Sequence, residues 1–138
     1  MIKTASEFIA LRTSTIPEEY QRAGREEAPF EVWMELIENH PEMRFWVACN
    51  KTVISKELQT ILAKDEDWRV RSQIASKYPL DRGLYEMLSV DKHEAVRNTI
   101  VHNKRVPLDI LEKIIREDTD EYVVNNAKEI VDIRRKRA

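Results

Sequence analysis

Apolar residues recur along this chain in two alternating patterns, and each pattern has the spacing of one buried helix face. The first pattern opens at Trp33, Leu36 and Ile37, and the second opens at Met43. Both return three times, at intervals of 25 to 27 residues. A period this short predicts pairs of short helices joined by tight corners. The first column continues with Leu58, Ile61, Leu62, then Leu84, Met87, Leu88 and Leu111, Ile114, Ile115; the second continues with Val47, Ala48, then Val70, Ile74, Ala75, then Val96, Ile100, Val101 and Val123, Val124, Ala127.

Residues 1–28 carry few apolar side chains and two helix start signals. Both signals have the spacing of a capping box, in which a hydroxyl and a carboxylate three residues apart satisfy free amides. We therefore expect two short helices that pack as a cap over the first repeat. The signals are Thr4 with Glu7, which predicts a helix near 5–12, and Thr15 with Glu18, followed by a helix with Pro17 in its first turn and an end near Gly24.

Short polar corners and prolines mark the starts of the repeat helices. One residue of each corner lies three positions before the Met43 column, where a side chain can accept hydrogen bonds as an N-cap. A proline opens helices of the first pattern, since its fixed φ suits the first turn. The predicted N-cap residues are His40, Asp67, His93 and Asp120, and the prolines are Pro29, Pro79 and Pro107.

Length and composition fit one all-α domain. The chain has 138 residues, enough for a single core. Its two glycines argue against the hairpin turns of an all-β fold and against nucleotide-binding loops. We predict a single domain over residues 1–138, with a helical cap at 1–28, about four repeats at 29–128 and a helix end with a basic tail at 129–138.

The corners contain the sequence DEDWRVR at residues 65–71, which returns as DKHEAVR at 91–97. Residues 29–128 resemble HEAT-like repeats, and their VRxxIA phrasing resembles the leucine-rich-repeat-variant group of bacterial helical repeats. The resemblance implies a right-handed α-solenoid of short hairpins, in which an Asp and an Arg six positions apart form a ladder between neighbouring repeats. The implied pairs are Asp65 with Arg71, Asp91 with Arg97 and, as a variant, Glu38 with Arg44, whereas Asp118 faces Val124 and lacks its Arg.

The net charge of −2 is unevenly distributed. Residues 1–40 carry eight acids and four bases, whereas residues 41–120 carry fourteen of each. Residues 121–138 carry five bases, four of them in the run 134–137. We expect this run to close a final helix, where cations suit the helix dipole; the alternative is contact with nucleic acid or an acidic membrane. The N-terminal acids predicted to face a partner are Glu18, Glu19, Glu26 and Glu27.

The chain has no motif for catalysis, for a metal or for a cofactor, so we predict a non-enzymatic protein that uses none. His40, His93 and His102 lack ligand spacing, and residues 65–67 lack the Gly and distal Glu of a calcium loop. Cys49 has no flanking group that would activate it, which predicts a buried structural thiol. Repeats without net positive charge argue against a nucleic-acid-binding protein related to the HEAT-like alkylpurine DNA glycosylases.

Aromatic residues at unusual repeat positions are candidates for a partner-binding surface. Phe45 and Trp46 occupy columns that hold Ser, Asn, Gln or Thr in the other repeats. Large aromatic side chains at solvent-facing positions are typical of binding hot spots. The alternative is that the N-terminal helices cover both rings, with Phe8 or Tyr20 against them. The same surface is predicted to include Trp68, Arg69 and Tyr85.

Small helical-repeat proteins with an acidic N-terminal segment resemble the immunity proteins that accompany secreted antibacterial toxins. That resemblance implies a protein that occludes a nuclease-like toxin domain, whose basic cleft an acidic face would complement. The alternative is an adaptor or regulatory scaffold for a housekeeping protein. No apolar run reaches the roughly 18 residues needed to cross a membrane, and MIKTASEF lacks a signal-peptide core, so we expect a cytoplasmic protein without a membrane partner.

Overall fold

The chain folds entirely into helices, which confirms the all-α prediction. The computed structural model describes residues 1–138 and contains ten α-helices, one 3-10 turn and no strand. None of the helices combines the length and the apolar character needed to cross a bilayer. The helices are α1 (Ala5–Thr13), α2 (Pro17–Arg25), α3 (Phe30–Asn39), α4 (Arg44–Cys49), α5 (Lys56–Leu62), α6 (Trp68–Ala75), α7 (Arg82–Ser89), α8 (Glu94–Val101), α9 (Leu108–Glu117) and α10 (Glu121–Arg137), and the 3-10 turn is Pro41–Met43.

The helices form two compact units, residues 1–62 and residues 63–138. In the first unit, α1 packs against α2 and α3, and α4 packs against α2, α3 and α5. The ring of Phe8 on α1 meets the ring of Trp33 on α3 edge to face, with centroids 5.4 Å apart. Both side chains are buried, so this contact holds the first helix on the third.

Helix starts in the first unit follow the predicted signals in part. Thr4 caps α1 as predicted, because its hydroxyl accepts a hydrogen bond from a first-turn amide at 3.0 Å. The second helix begins at Pro17, but Thr15 does not cap it. The hydroxyl of Ser14 instead accepts the amide of Ile16 at 3.0 Å, in the extended stretch that a following proline favours.

A buried asparagine ties the corner after α4 to the end of α2. The Nδ2 of Asn50 donates to the carbonyls of Ala23 at 2.8 Å and Glu26 at 3.0 Å. Its Oδ1 accepts the amide of Thr52 at 2.8 Å. Because Asn50 is fully buried, these bonds replace the water it loses on folding.

The second unit contains two layers of helices. In one layer α8 packs against both α6 and α10, and in the other α7 packs against α9. Asp67, His93 and Asp120 each accept a first-turn amide of the helix that follows, which confirms three of the four predicted N-caps. His40 stands at the predicted N-cap position, directly before the 3-10 turn Pro41–Met43, but its side chain makes no capping hydrogen bond, so that part of the prediction is wrong.

Prolines directly precede the first-pattern helices at two of the three predicted positions. Pro29 is the residue before α3, and Pro107 is the residue before α9. Pro79 lies three residues before the start of α7, and a carboxylate closer to the helix caps it. That carboxylate belongs to Asp81 and accepts the amide of Gly83 at 3.0 Å.

Two arginines join successive corners of the second unit. Arg71 donates to the main-chain carbonyl of Asp65 at 2.8 Å and to both carboxylate oxygens of Asp91 at 2.8 and 3.0 Å. Arg97 repeats this arrangement with the carbonyl of Asp91 at 2.8 Å and the carboxylate of Asp118 at 2.7 and 3.3 Å. The Asp six residues before each Arg therefore supplies a carbonyl, and the carboxylate comes from the following corner. Asp118 has no Arg six residues after it, but its carboxylate still takes part, because it binds Arg97 of the preceding corner.

In the first unit, Arg44 does not pair with Glu38 as the resemblance implied. The Nε of Arg44 donates to the carbonyl of Ile37 at 2.6 Å. Glu38 is exposed on α3. Arg44 thus bonds the main chain one residue before Glu38, just as Arg71 and Arg97 bond main-chain carbonyls of the preceding corner.

A second buried asparagine repeats the bonding of Asn50. The Nδ2 of Asn103 donates to the carbonyls of Ala75 at 2.8 Å and Lys77 at 2.7 Å, at the end of α6. Its Oδ1 accepts the hydroxyl of Tyr85 at 2.9 Å. The two asparagines lie two repeat periods apart and perform the same task in their own units.

The basic run at residues 134–137 is the last turn of α10. Four cations at the carbonyl end of a helix are favourable for its dipole. The Nη1 of Arg134 also donates to the carbonyl of Val106 at 2.6 Å, which anchors this turn. One of the four cations is therefore committed to the fold.

The Arg71 contact predicts a large stability effect. Arg71→Ala leaves the carboxylate of Asp91, whose side chain is 9% exposed, without its cation. We expect the free energy of unfolding in urea to fall by about 3–5 kcal/mol, the usual cost of breaking a buried ion pair from one side.

Arg69→Ala is the matched control. Arg69 lies on the same helix, and its ion pair with Asp67 is exposed, so its loss is expected to be much smaller. Equal losses of unfolding free energy in the two variants would show that the buried ion pair of Arg71 stabilises the protein no more than an exposed one.

Candidate interaction surfaces

The aromatic pair Phe45 and Trp46 lies on α4 in the first unit. Both rings are half-buried, and they meet edge to face with centroids 4.9 Å apart. The guanidinium carbon of Arg12 on α1 lies 3.4 Å from the centre of the Trp46 ring. Such a cation–π contact contributes about 0.5–2 kcal/mol. A side chain of α1 thus covers part of Trp46, but that side chain is Arg12, because Phe8 packs on Trp33.

Trp68 opens α6 in the second unit and is 39% exposed. Its ring stacks on the imidazole of His93, with centroids 4.3 Å apart and the planes 19° from parallel. The Nδ1 of His93 accepts the amide of Ala95 at 3.0 Å. The neighbouring Arg69 is paired with Asp67 at 3.1 Å. At this corner, Trp68 offers a flat apolar surface, and a carboxylate already balances the charge of Arg69.

Tyr85 lies in the interior, so the prediction that it belongs to the partner-binding surface is wrong. It is 3% exposed, its hydroxyl bonds Asn103, and burial raises the pKa of its phenol. The preceding residue in its column, Gln59, is also 3% exposed. Gln59 and Tyr85 are polar because they make hydrogen bonds inside the protein, so a polar column is not always an exposed one.

Three of the four nominated glutamates lie at the surface with different degrees of exposure. Glu18 and Glu27 are exposed. Glu19 is half-buried, and the hydroxyl of Ser14 donates to it at 3.4 Å. Glu18 and Glu27 are therefore the more accessible of the three for a partner.

Glu26, the fourth nominated glutamate, already has partners within the protein. The Nη2 of Arg22 donates to its carboxylate at 3.0 Å, and the amino group of Met1 lies 3.1 Å from it. The hydrogen bond from Arg22, followed by that from the amino terminus, lowers the pKa of Glu26 to about 2. Its charge is balanced locally and contributes little to an acidic face.

The most acidic helix face of the first unit was not among the nominated residues. Glu31, Glu35 and Glu38 on α3 are all exposed, and their spacing of four and three residues places them on one side of the helix. The buried side chains, which include Trp33 and Leu36, lie on the opposite side. We call these three glutamates the acidic face of α3. The sequence signal that could have identified them is this helical spacing of three glutamates.

The remaining cysteine and histidine residues with candidate chemistry are not gathered into a metal-binding group. No three His, Cys, Asp or Glu side chains are placed to hold a metal ion. Cys49, which was expected to be buried, is half-buried at the end of α4. His102 is exposed, with its Nδ1 3.0 Å from the carbonyl of Asn98.

The lowered pKa of Glu26 predicts a pH effect of known sign. A carboxylate whose pKa is depressed in the folded state stabilises it fully above the ordinary value of 4.5, and that contribution is lost as the pH falls toward 2. We expect carbon-detected NMR titration of the Glu26 carboxyl to give a midpoint near 2.

In Arg22→Gln the Glu26 midpoint is expected to move toward the ordinary value, because the main cause of the shift is removed. Arg25→Gln changes the charge of the same helix at an exposed position and serves as the control. A midpoint that moves equally in both variants would contradict the assignment of the shift to Arg22.

Comparison with known proteins gives no match: neither a protein-family model, nor a curated protein, nor a solved structure is significantly similar to the chain. The candidate features for function are therefore the contacts and charges of the chain itself. In the first unit these are the acidic face of α3 and the contact of Arg12 with Trp46. In the second unit the corresponding feature is the exposed ring of Trp68.

Proposed function

We propose that this chain is a non-catalytic protein-binding module, most concretely an immunity protein that binds and occludes a nuclease-like toxin domain. In this proposal the short hairpins are HEAT-like repeats stacked as a right-handed α-solenoid. The observation that carries the proposal is the acidic face of α3, where three exposed carboxylates share one side of a helix.

The acidic face of α3 has no internal compensation. The helix contains no Lys or Arg, and no ion pair holds Glu31, Glu35 or Glu38. Like charges four residues apart destabilise a helix by roughly 0.2–0.5 kcal/mol. Glu31 lies in the first turn of α3, where its charge suits the helix dipole, but Glu35 and Glu38 lie beyond that turn. A basic partner surface would relieve the repulsion among the three carboxylates.

A nuclease domain is a partner with matching chemistry. Its substrate is a polyanion, so its cleft must carry cations that hold phosphates. A rigid row of carboxylates can occupy such a cleft, exclude the nucleic acid and accelerate association through long-range attraction. The resemblance to small helical-repeat immunity proteins supports the same partner class.

The proposal is tested first by whether a gene for a nuclease-like toxin lies next to this protein's gene, and then with the nuclease domain that such a gene encodes. We expect stoichiometric inhibition of RNA cleavage by that domain and an association rate that falls as salt is added. The triple variant Glu31→Lys, Glu35→Lys, Glu38→Lys should slow association at low salt by about tenfold or more, because it reverses the charge that steers the encounter.

A matched triple variant on α10 separates the acidic face from net charge. Glu121→Lys, Glu129→Lys, Asp132→Lys makes the same change in charge at exposed positions, and we expect its association rate to change by less than about threefold. Equal slowing in both variants would remove the acidic face of α3 from the proposal.

Two other outcomes favour the alternative functions. A neighbouring gene without toxin activity, together with binding to a housekeeping protein, would support the adaptor or scaffold. A salt-dependent shift of RNA or DNA by the protein alone at micromolar concentration would support nucleic-acid binding. Either result would overturn the immunity assignment.

A further inference from the structure

The first unit contains a cavity of about 570 Å³ beside the contact of Arg12 with Trp46. This volume lies within the range of pockets that hold small organic ligands. The side chains that matter for its chemistry come from α1, α2 and α4 and the loop after α1. They are Arg12, Ser14, Tyr20, Trp46 and Cys49, and Gly24 lines the wall between them.

Arg12 is the one cation in the wall of this cavity, and it has no anionic partner. No carboxylate lies within 4 Å of its guanidinium, and its buried Nε has no hydrogen-bond acceptor. By contrast, Arg22 in the same unit holds Glu26. The half-buried guanidinium contacts the ring of Trp46, but its buried Nε lacks an acceptor, which is unusual because buried polar atoms are normally hydrogen-bonded.

The other polar groups of the cavity leave few positions for a ligand to contact. The hydroxyl of Ser14 is already used, since it accepts the amide of Ile16 and donates to Glu19. The hydroxyl of Tyr20 makes no hydrogen bond within the protein. The guanidinium of Arg12 and the phenol of Tyr20 are therefore the donors available beside the indole of Trp46.

From this geometry we infer that the cavity binds a small organic carboxylate with a planar apolar body. The guanidinium of Arg12 donates to the carboxylate, a geometry that its planar set of N–H groups favours. The planar body lies against the rings of Trp46 and Tyr20. A single cation without a second Lys or Arg matches a singly charged carboxylate better than a phosphate.

This site is independent of the proposed function, because it uses neither the acidic face of α3 nor a protein partner. It also explains why an aromatic residue stands at a repeat position that is otherwise polar. Trp46 replaces the small polar residues of its column at the position where a flat wall is needed beside Arg12. The indole then serves both the cation and the ligand.

Gly24 provides a way to close the cavity without touching Arg12. It lies in the last turn of α2, and a Cβ added there meets no atom within 4 Å. Leucine favours helix more than glycine does, so Gly24→Leu should fold at least as well as the wild type. Its side chain extends into the open space that the ligand would occupy.

The test uses benzoate as the probe, with neutral benzamide and N-acetylaspartate amide as comparisons, measured by NMR titration of the full chain. We expect benzoate to bind with a Kd on the order of 1 mM, and both comparisons to bind at least about tenfold more weakly. N-acetylaspartate amide presents a protein-like carboxylate without the planar body. If this probe binds more tightly than benzoate, the site recognises an acidic peptide and the inference of a small planar ligand is wrong.

Variants assign the binding to this cavity. Arg12→Gln should weaken benzoate by about tenfold or more, and Gly24→Leu should abolish measurable binding. Arg25→Gln, an exposed change on α2, should leave the Kd unchanged. Bound benzoate should also slow the reaction of Cys49 with a small thiol reagent, since Cys49 lines the same cavity.

Thermal melting of each variant distinguishes binding from folding. Gly24→Leu keeps the contact of Arg12 with Trp46, so it gives an answer even if Arg12→Gln is unstable. The inference is overturned if benzoate does not bind at about 20 mM, if benzamide binds equally well, or if Gly24→Leu binds benzoate like the wild type.

Discussion

The guanidinium of Arg71 makes the contact on which the order of the second unit depends. It holds the carbonyl of its own corner at Asp65 and the carboxylate of the next corner at Asp91. Helices of eight residues cannot bury an apolar face alone, so each must be held at a fixed spacing from its neighbour. Arg97 repeats the contact one corner later with Asp118. The apolar columns supply the driving force for packing, and the two arginines join successive corners.

Buried asparagines fix the opposite ends of the same helices. In the second unit, Arg71 acts at the corner before α6, and Asn103 acts after α8, where it binds the last carbonyls of α6. In the first unit, Asn50 binds the end of α2 in the same way. This bond holds the end of α2, although the sequence of that helix carries few apolar residues. Polar bonds that recur at the repeat period can thus hold a helix that the hydrophobic pattern barely marks.

The polar residues that hold the fold are separate from those that remain for function. In the second unit, most of the motif at 65–71 is used for caps and for the contact between corners, and Trp68 is its most accessible apolar group. In the first unit, the acidic face of α3 has no ion-pair partner, and Arg12 contacts the ring of Trp46 but no anion. Uncompensated charge on rigid helices is costly unless something binds it. Both proposals for function therefore concern the first unit.

The sequence by itself determined the helices, because apolar spacing and capping residues act within a few positions of each other. It identified Arg71, Arg97, Asp91 and the N-caps Asp67 and Asp120, and the glutamate spacing on α3 was also readable. Only the tertiary structure decided which carboxylate each arginine holds, since the partner belongs to the next corner. It also decided that Tyr85 is interior, because a hydrogen-bonded polar column and a solvated one have the same composition. The contact of Arg12 with Trp46 joins helices that no periodicity relates, so it became visible only when α1 was packed beside α4.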